Sequence, residues 1–190
     1  MRIGLFGGSF NPVHNGHVAL GRAMLAQMHL DEVWYMVSPQ NPLKQGADDL
    51  APEEARLHLV DIALGEYPQL KASDYEFCLP RPSYTWDTLQ HLQRDYPQHR
   101  FVLIIGGDNW ACFDRWAHHE DILREYEIAI YPREGVYINK EELPEKVHQV
   151  NVPLVNVTST MLREMIRKGE DITAYVPEKV AEELRRVHLY

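Results

Sequence analysis

Short apolar runs alternate along this chain with stretches in which apolar residues recur every three or four positions. Apolar runs bounded by turn-forming residues predict buried strands, which we place at residues 3–6, 33–37, 70–72, 101–105, 128–131 and 152–157. The amphipathic stretches predict helices at residues 18–30 and 52–66, and further helices that begin near residues 85, 159 and 177. Strands that alternate with helices from end to end predict a doubly wound α/β fold, with a mostly parallel sheet and helices on both faces.

The size and composition of the chain fit one globular domain. It has 190 residues, of which 45% are hydrophobic, so we expect a single domain over residues 1–190, with residues 158–190 as a C-terminal helical part. Neither a signal-peptide pattern nor an apolar run of membrane length occurs, which predicts a cytoplasmic protein without membrane contact. A formal net charge of −9 argues against a nucleic-acid partner, because such partners need a basic face.

The first predicted turn combines glycines with two histidines. The strand at residues 3–6 leads into G-G-S-F-N-P-V-H-N-G-H, which ends at the start of the first helix. Gly7 and Gly8 allow a ligand to approach the backbone closely, and the free N–H groups of a helix start favour an anion. His14 and His17 lie one turn apart and can face that anion together. The alternative is an ordinary glycine-rich turn with two incidental histidines, since neither the G-x-G-x-x-G pattern nor the P-loop pattern fits.

Charged side chains follow several of the other predicted strands. Lys44 comes after the second strand, Asp108 follows the glycine pair after the strand at residues 101–105, and Arg133 follows the strand at residues 128–131. In an open parallel sheet, ligands bind outside the carboxyl ends of the strands, so we expect these three side chains near the first turn. The alternatives are a solvated lysine at residue 44 and a helix N-cap at Asp108.

Two predicted helix starts supply further candidates. Ser83 or Thr85 can cap the helix that begins near residue 85, and the N–H groups there are available to a carboxylate. Ser159 and Thr160 lie one turn from Arg163, so two hydroxyls and a guanidinium can converge on phosphate oxygens. An ordinary Ser/Thr cap beside a surface arginine is the alternative at this second start.

Two of these segments resemble signatures of the nucleotidyltransferase superfamily. The first turn resembles G-x-F-D-P-x-H-x-G-H, and T-S-T-M-L-R at residues 158–163 resembles S-S-T-x-x-R. Similarity to the bacterial nicotinate-nucleotide adenylyltransferases lies in N-P-L-K at residues 41–44, R-P-S-Y-T-W-D-T-L at 81–89 and G-G-D-N-W at 106–110. The chain departs from the pattern at Asn11, where the signature has Asp, and at Leu43, where the family commonly has His.

The resemblance implies a Rossmann-like nucleotidyltransferase fold and a reaction in NAD biosynthesis. In that reaction ATP and nicotinate mononucleotide give deamido-NAD and pyrophosphate, with Mg²⁺ carried by the ATP phosphates and no metal ligands from the protein. Assembly into a homo-oligomer is left open. The implied catalytic residues, which stabilise phosphate charge, are His14, His17, Lys44 and Arg163. The implied ATP contacts are Gly8, Ser9, Phe10, Gly106, Asp108, Ser159 and Thr160. The implied contacts to the mononucleotide are Asn11, Tyr84, Thr85, Trp116 and Arg133.

Two alternative functions share part of this pattern. A sister enzyme such as phosphopantetheine adenylyltransferase would carry both signatures, but it would not need the S-Y-T-W segment or Trp116. A nucleotide sensor without catalysis would bind ATP and turn over no acceptor. The presence of both histidines, the hydroxyl pair and Arg163 favours the enzyme.

Overall fold

The computed structural model describes residues 1–39, 49–152 and 156–190. Strands and helices alternate as far as the fourth strand, after which two helices, two strands and two more helices follow. Three short 3₁₀ turns lie at Tyr75–Cys78, Phe113–Arg115 and Lys140–Glu142. The strands β1 to β6 span Arg2–Gly8, Glu32–Val37, Leu70–Ser73, Arg100–Gly106, Glu127–Tyr131 and Val147–Gln149. The helices α1 to α7 span Asn15–Gln27, Glu53–Leu64, Thr85–Asp95, Gly107–Trp110, His119–Glu125, Ser159–Arg167 and Glu178–Val187.

The strands form one sheet in the order β3-β2-β1-β4-β5-β6, in which every neighbouring pair is parallel. The chain builds one half of this sheet outward from β1 and the other half outward from β4, so the strand order reverses between these two central strands. In such sheets the crevice at the carboxyl ends of the two central strands is the usual ligand site. The predicted doubly wound α/β fold is confirmed, and its geometry places the crevice beside the first turn.

The sheet is buried on both faces. Along β1, Ile3 and Leu5 pack into one core cluster, whereas Phe6 packs into the other. Side chains of α1, α2, α6 and α7 cover the face of Phe6, and those of α3 and α5 cover the opposite face. Strands that are buried on both faces need nearly continuous apolar sequences, which explains why apolar runs predicted five of the strands.

The sixth strand is not where its apolar run predicted it. Residues 152, 156 and 157 are outside any strand, and residues 153–155 lie outside the described residues. The edge strand β6 lies earlier, where the Ile128 N–H donates to the Lys146 carbonyl and the Val150 N–H donates to the Ile130 carbonyl, each at 2.9 Å. An edge strand has one neighbour and is commonly short and polar, so this strand carried no apolar signal.

The predicted cap of α3 was also wrong. The helix begins at Thr85, its N-cap is Tyr84, and no N-cap side chain bonds to its first N–H groups. The hydroxyl of Ser83 donates instead to the carboxylate of Glu76 at 3.3 Å. None of the described helices is long and apolar enough to cross a membrane.

Candidate active site

A cavity of about 210 Å³ lies at the carboxyl ends of β1 and β4. The two strand ends contribute Gly7, Gly8 and residues 103–106 to its lining, and the start of α3 contributes residues 83–85. Residues 115–117 line it on the way into α5. This is the crevice expected from the strand order, so the segments around it define the candidate site.

The turn after β1 is anchored on the core by Phe10. This residue has a φ of 47°, and its ring packs against Phe6 and Tyr35 with centroid distances of 5.4 and 5.5 Å. A Cβ at Gly8 would lie 2.9 Å from the Phe10 ring, so any larger residue at this position would have to displace that ring. Phe10 is only 2% exposed, whereas the neighbouring Gly8 and Ser9 are partly exposed and can be reached by a ligand.

The two predicted histidines are brought together at the start of α1. His14 is the N-cap and His17 lies in the first turn, and their rings stack with centroids 3.6 Å apart. The Nδ1 of His17 accepts a hydrogen bond from the backbone N–H of His14 at 3.2 Å, so the proton of a neutral His17 is on Nε2. The Nδ1 of His14 is buried without a hydrogen-bond partner in the described part of the chain.

Burial keeps both imidazoles neutral near pH 7. Loss of water lowers the pKa of His14 to about 4, and the positive charge of Arg133 acts in the same direction. Burial, followed by the neighbouring His14 and Arg133, holds the pKa of His17 well below its usual range. The unliganded site therefore offers neutral N–H donors, and a bound anion would raise both pKa values.

Asn11 is held by protein groups on every side-chain atom that can hydrogen bond. Its Nδ2 donates to the Asp49 carbonyl at 2.9 Å. Its Oδ1 accepts from the Ala51 N–H at 3.0 Å and from the Tyr190 hydroxyl at 2.7 Å. An ionised aspartate could not donate to the Asp49 carbonyl, so the departure from the family signature matches the surroundings of this residue.

Arg163, the arginine of the second signature, binds the same region. Its Nε and Nη2 lie 2.8 and 2.6 Å from the Asp49 carboxylate, and its Nη1 donates to the Asn11 carbonyl at 2.8 Å. The Thr160 hydroxyl lies 3.4 Å from Nη2. The guanidinium hydrogen bonds to Asp49 and lowers the pKa of its carboxyl. An incoming phosphate would compete with Asp49 for this guanidinium.

The start of α6 packs directly on the first turn. The helix begins at Ser159, as predicted, and the Thr158 hydroxyl caps it by accepting from the Met161 N–H at 3.1 Å. The Ser159 hydroxyl donates to the Pro12 carbonyl at 2.9 Å. This hydrogen bond brings the two signature segments, which are far apart in sequence, into contact in the fold.

Tyr84, Thr85 and Trp116 line one cavity, as the resemblance implies. The Trp116 ring packs on Phe113 with a centroid distance of 5.2 Å. Its Nε1 is buried and has no hydrogen-bond partner among residues 1–39, 49–152 and 156–190. No N-cap side chain bonds to the start of α3, so the backbone N–H groups there are available to a ligand. They lie beside the same cavity as the indole of Trp116.

Asp108 and Arg133 lie on the rim at the ends of β4 and β5. The Arg133 Nε is 3.5 Å from Oδ1 of Asp108, and its guanidinium lies 5.0 Å from the centroid of the Tyr131 ring. The N-cap of α4 is Gly106, so the alternative prediction of Asp108 as an N-cap was wrong. A side chain at Gly106 would collide with the Asp108 carboxylate.

The sequence patterns did not point to three residues near the cavity. Glu76 and Arg115 line the cavity, and Arg56 is completely buried against the first turn. None of the three belongs to a recognised motif, and only the neighbouring Trp116 could have drawn attention to Arg115. Lys44 is the predicted residue that lies outside the described residues.

Comparisons with known proteins agree with the geometry. Residues 5–165 match the cytidylyltransferase-like family. A Bacteroides thetaiotaomicron protein named as a nicotinate-nucleotide adenylyltransferase is 49% identical over 97% of this chain and 91% of its own length. A Bacteroides fragilis protein of the same name is 48% identical over 92% of this chain and 87% of its own length.

The fold comparison points in the same direction. The solved structure of Plasmodium falciparum nicotinic acid mononucleotide adenylyltransferase complexed with NaAD matches with a TM-score of 0.82 and 19% identity, covering 100% of this chain and 97% of that one. At this identity the match supports the fold alone, whereas the bacterial relatives support the family. The resemblance found in the sequence is confirmed: the chain belongs to the nicotinate-nucleotide adenylyltransferases, within the cytidylyltransferase-like family.

Proposed function

We propose that this protein transfers the adenylyl group of ATP to nicotinate mononucleotide, which gives deamido-NAD and pyrophosphate. A phosphate oxygen of the mononucleotide attacks the α-phosphorus of ATP, and the bond between the α-phosphorus and the bridging oxygen breaks as pyrophosphate leaves. The observation that supports this most is the shared cavity, with Gly8 on one side and Tyr84, Thr85 and Trp116 on another. We place this activity in the cytoplasm, with no role for nucleic acid.

No side chain is required as a general base in this reaction. A phosphate monoester has a second pKa of about 6, so the nucleophile is mostly dianionic at neutral pH. Positioning and charge stabilisation can then supply the catalysis. This fits a site whose two histidines are neutral, because neither of them has to remove a proton from the nucleophile.

The phosphates of ATP are assigned to the first turn and the start of α6. We propose that His14 and His17 donate to the phosphates around the reacting centre and that Lys44 adds positive charge. Arg163, together with Ser159 and Thr160, would bind the β- and γ-phosphates. Because Arg163 contacts the Asp49 carboxylate, this assignment requires the triphosphate to displace Asp49.

The nucleoside of ATP is assigned to the ends of β1 and β4. We propose that the Asp108 carboxylate, which is exposed on the rim, accepts hydrogen bonds from the ribose hydroxyls. Gly106 leaves room beside that carboxylate. The backbone of Gly8, Ser9 and Phe10 is proposed to contact the nucleotide; Gly8 and Ser9 are partly exposed, whereas Phe10 is buried.

The mononucleotide is assigned to the opposite part of the cavity. We propose that N–H groups at Tyr84 and Thr85 bind the nicotinate carboxylate and that the pyridinium ring stacks on Trp116, a contact worth about 0.5–2 kcal/mol. Arg133 is proposed to bind the phosphate of the mononucleotide. Asn11 is proposed to act through its backbone N–H, since its side chain is engaged by Asp49, Ala51 and Tyr190 and its carbonyl accepts from Arg163.

Mg²⁺ is proposed to enter the site with ATP. The described residues contain no group of three or more His, Cys, Asp or Glu side chains that could hold a metal. Mg²⁺ commonly binds through substrate phosphates and water with only one or two carboxylates, so the donors present fit this mode. When bound, it would neutralise part of the triphosphate charge.

An acceptor panel tests the proposed function. The purified protein is incubated with ATP, Mg²⁺ and one of nicotinate mononucleotide, nicotinamide mononucleotide or phosphopantetheine, and pyrophosphate release is measured. We expect release with nicotinate mononucleotide and a lower kcat/KM for the amide, because the carboxylate forms charge-assisted hydrogen bonds that the amide cannot. Release with phosphopantetheine alone, or ATP binding without turnover of any acceptor, would refute the proposal.

A further inference from the structure

Glu76 lines the cavity, is partly buried, and has no cation bonded to it in the described part of the chain. It lies in the 3₁₀ turn Tyr75–Cys78 that follows β3. In the part of the chain that the structure describes, its carboxylate is paired with hydroxyl groups and not with Lys, Arg or His. Burial raises the pKa of its carboxyl, against the two hydroxyl hydrogen bonds, which lower it. A carboxyl group in such surroundings destabilises the fold unless its hydrogen bonds are satisfied. The hydroxyl contacts of Glu76 provide this stabilisation.

Those contacts lie on both sides of the start of α3. The Ser83 hydroxyl, just before the helix, donates to Oε2 of Glu76 at 3.3 Å. The Thr88 hydroxyl, in the first turn of the helix, donates to Oε1 at 3.0 Å. Thr88 also lies 3.3 Å from the Tyr84 carbonyl, but one hydroxyl proton serves one strong acceptor at a time, and the shorter contact is to Glu76.

The turn that carries Glu76 is itself fixed against α3. The Tyr75 hydroxyl donates to the Asp95 carboxylate at the far end of the helix, at 2.6 Å. The turn is thus held near both ends of α3, with Glu76 at the end that faces the cavity. Ser83 and Thr88 are 8% and 4% exposed, so solvent does not replace these hydrogen bonds easily.

We propose that Glu76 is a positioning residue for the acceptor, because its carboxylate fixes Ser83 and Thr88 and so holds Tyr84 and Thr85 in the cavity wall. The inference rests on the proposed function, in which N–H groups at these two residues bind the nicotinate carboxylate. No N-cap side chain bonds to this helix start, so its orientation depends on the hydrogen bonds of Ser83 and Thr88 to Glu76. Loss of the contacts displaces the acceptor subsite and leaves the ATP subsite in place.

Steady-state kinetics on Glu76→Ala and Glu76→Gln test the inference. For Glu76→Ala we expect KM for nicotinate mononucleotide to rise about tenfold or more, with KM for ATP within about twofold, because misplaced binding groups act on one substrate. For Glu76→Gln we expect a rise of less than about threefold, because the amide can still accept from Thr88 and can donate to the Ser83 oxygen. A role in overall stability alone would not separate the two substrates.

The matched control is Glu53→Gln. Glu53 lies 2.6 Å from Arg81, in the segment between the Tyr75–Cys78 turn and α3. Glu53 does not line the cavity, so both KM values should stay within about twofold of the wild type. If Glu76→Ala does not fold, the Ser83→Ala and Thr88→Val variants, each lacking one hydroxyl, decide the question by the same comparison of KM values.

Three outcomes would overturn the inference: an unchanged KM for the mononucleotide, an equal rise for ATP, or a Gln variant as impaired as the Ala variant. Failure of the proposed function would be seen separately, in the wild type. If the wild type used another phosphate acceptor, the same variants would be measured with that acceptor, and the comparison with ATP would still decide the role of Glu76.

Discussion

His17 can donate through only one defined ring nitrogen in the unliganded site. The backbone N–H of His14 occupies its Nδ1, and burial keeps the ring neutral, so Nε2 carries the proton. A fixed donor needs no reorganisation when charge develops on the reacting phosphate. At the residue scale, the backbone N–H of His14 therefore fixes the tautomer of the His17 side chain.

We predict that His17→Ala lowers kcat by a factor on the order of 10² to 10³, the usual loss for one preorganised donor to developing charge. The KM values for both substrates should change less. Steady-state pyrophosphate release measures both quantities. His148→Ala, which removes an exposed histidine from the edge strand, serves as the control and should keep wild-type kinetics. A near-normal kcat for His17→Ala would contradict the assigned role.

Arg115 provides a second residue-scale prediction. Its side chain is exposed, lines the cavity and makes no hydrogen bond or ion pair with the described residues. A cation in this position favours a carboxylate over an amide, so Arg115→Gln should reduce the ratio of kcat/KM for nicotinate to nicotinamide mononucleotide by about tenfold. Arg124→Gln, on the exposed side of α5, should leave the ratio unchanged. An unchanged ratio in Arg115→Gln would show that the backbone donors suffice.

Arg56 joins three structural elements from the interior of α2. The side chain is fully buried. Its Nη1 donates to the Ser9 carbonyl at 2.7 Å and to the Ser38 carbonyl at 2.8 Å, and its Nε donates to the Ala51 carbonyl at 2.8 Å. These carbonyls belong to the turn after β1, the segment after β2 and the approach to α2. The turn after β1 is thereby fixed from the protein interior by Arg56, which belongs to none of the family signatures.

We predict that Arg56→Met lowers the free energy of unfolding by about 3 kcal/mol or more, because several buried carbonyls lose their donors together. Urea denaturation measures the change. Arg22→Met is the matched control: Arg22 lies over the Tyr67 ring at 5.1 Å and should cost about 1 kcal/mol or less. A loss in Arg56→Met no larger than in this control would mean that water or neighbouring groups satisfy the carbonyls.

The whole molecule couples its stability to pH through the buried histidines. The folded pKa of His14 is about 4, below the ordinary value of about 6.5. Between these two values the unfolded chain binds a proton that the folded chain does not, so stability falls as the pH is lowered through this window. His17 acts in the same direction, since burial also lowers its pKa. The unliganded fold is therefore more stable near neutral pH than in mild acid.

We predict that the free energy of unfolding drops between about pH 7.5 and pH 5, and that His14→Gln reduces this drop by about 2 kcal/mol, the difference expected for one shifted histidine. Urea denaturation at both pH values measures it. His148→Gln, which removes an exposed histidine, should leave the pH dependence nearly unchanged. A drop in His14→Gln equal to that of the wild type would show that His14 is not the group responsible.

The sequence by itself determined five of the six strands, five of the seven helices and the order of these elements along the chain. Five strands followed from apolar runs, because strands covered on both faces must be apolar throughout. The glycine turn, His14, His17 and the 158–163 segment followed from spacing and family signatures, both of which are local properties of the chain. These features placed the candidate site at the carboxyl ends of the central strands.

Only the tertiary structure decided what surrounds those residues. The edge strand β6 has no apolar signal, because its pairing comes from backbone contacts with β5. The partners of Asn11 lie 38 to 179 residues away along the chain, and Glu76 meets Ser83 and Thr88 only once the turn after β3 packs on α3. The lowered pKa values of the histidines come from burial in the folded chain and from the charge of Arg133, which is distant in sequence. Local spacing cannot encode such contacts, because each depends on where the rest of the chain brings its side chains.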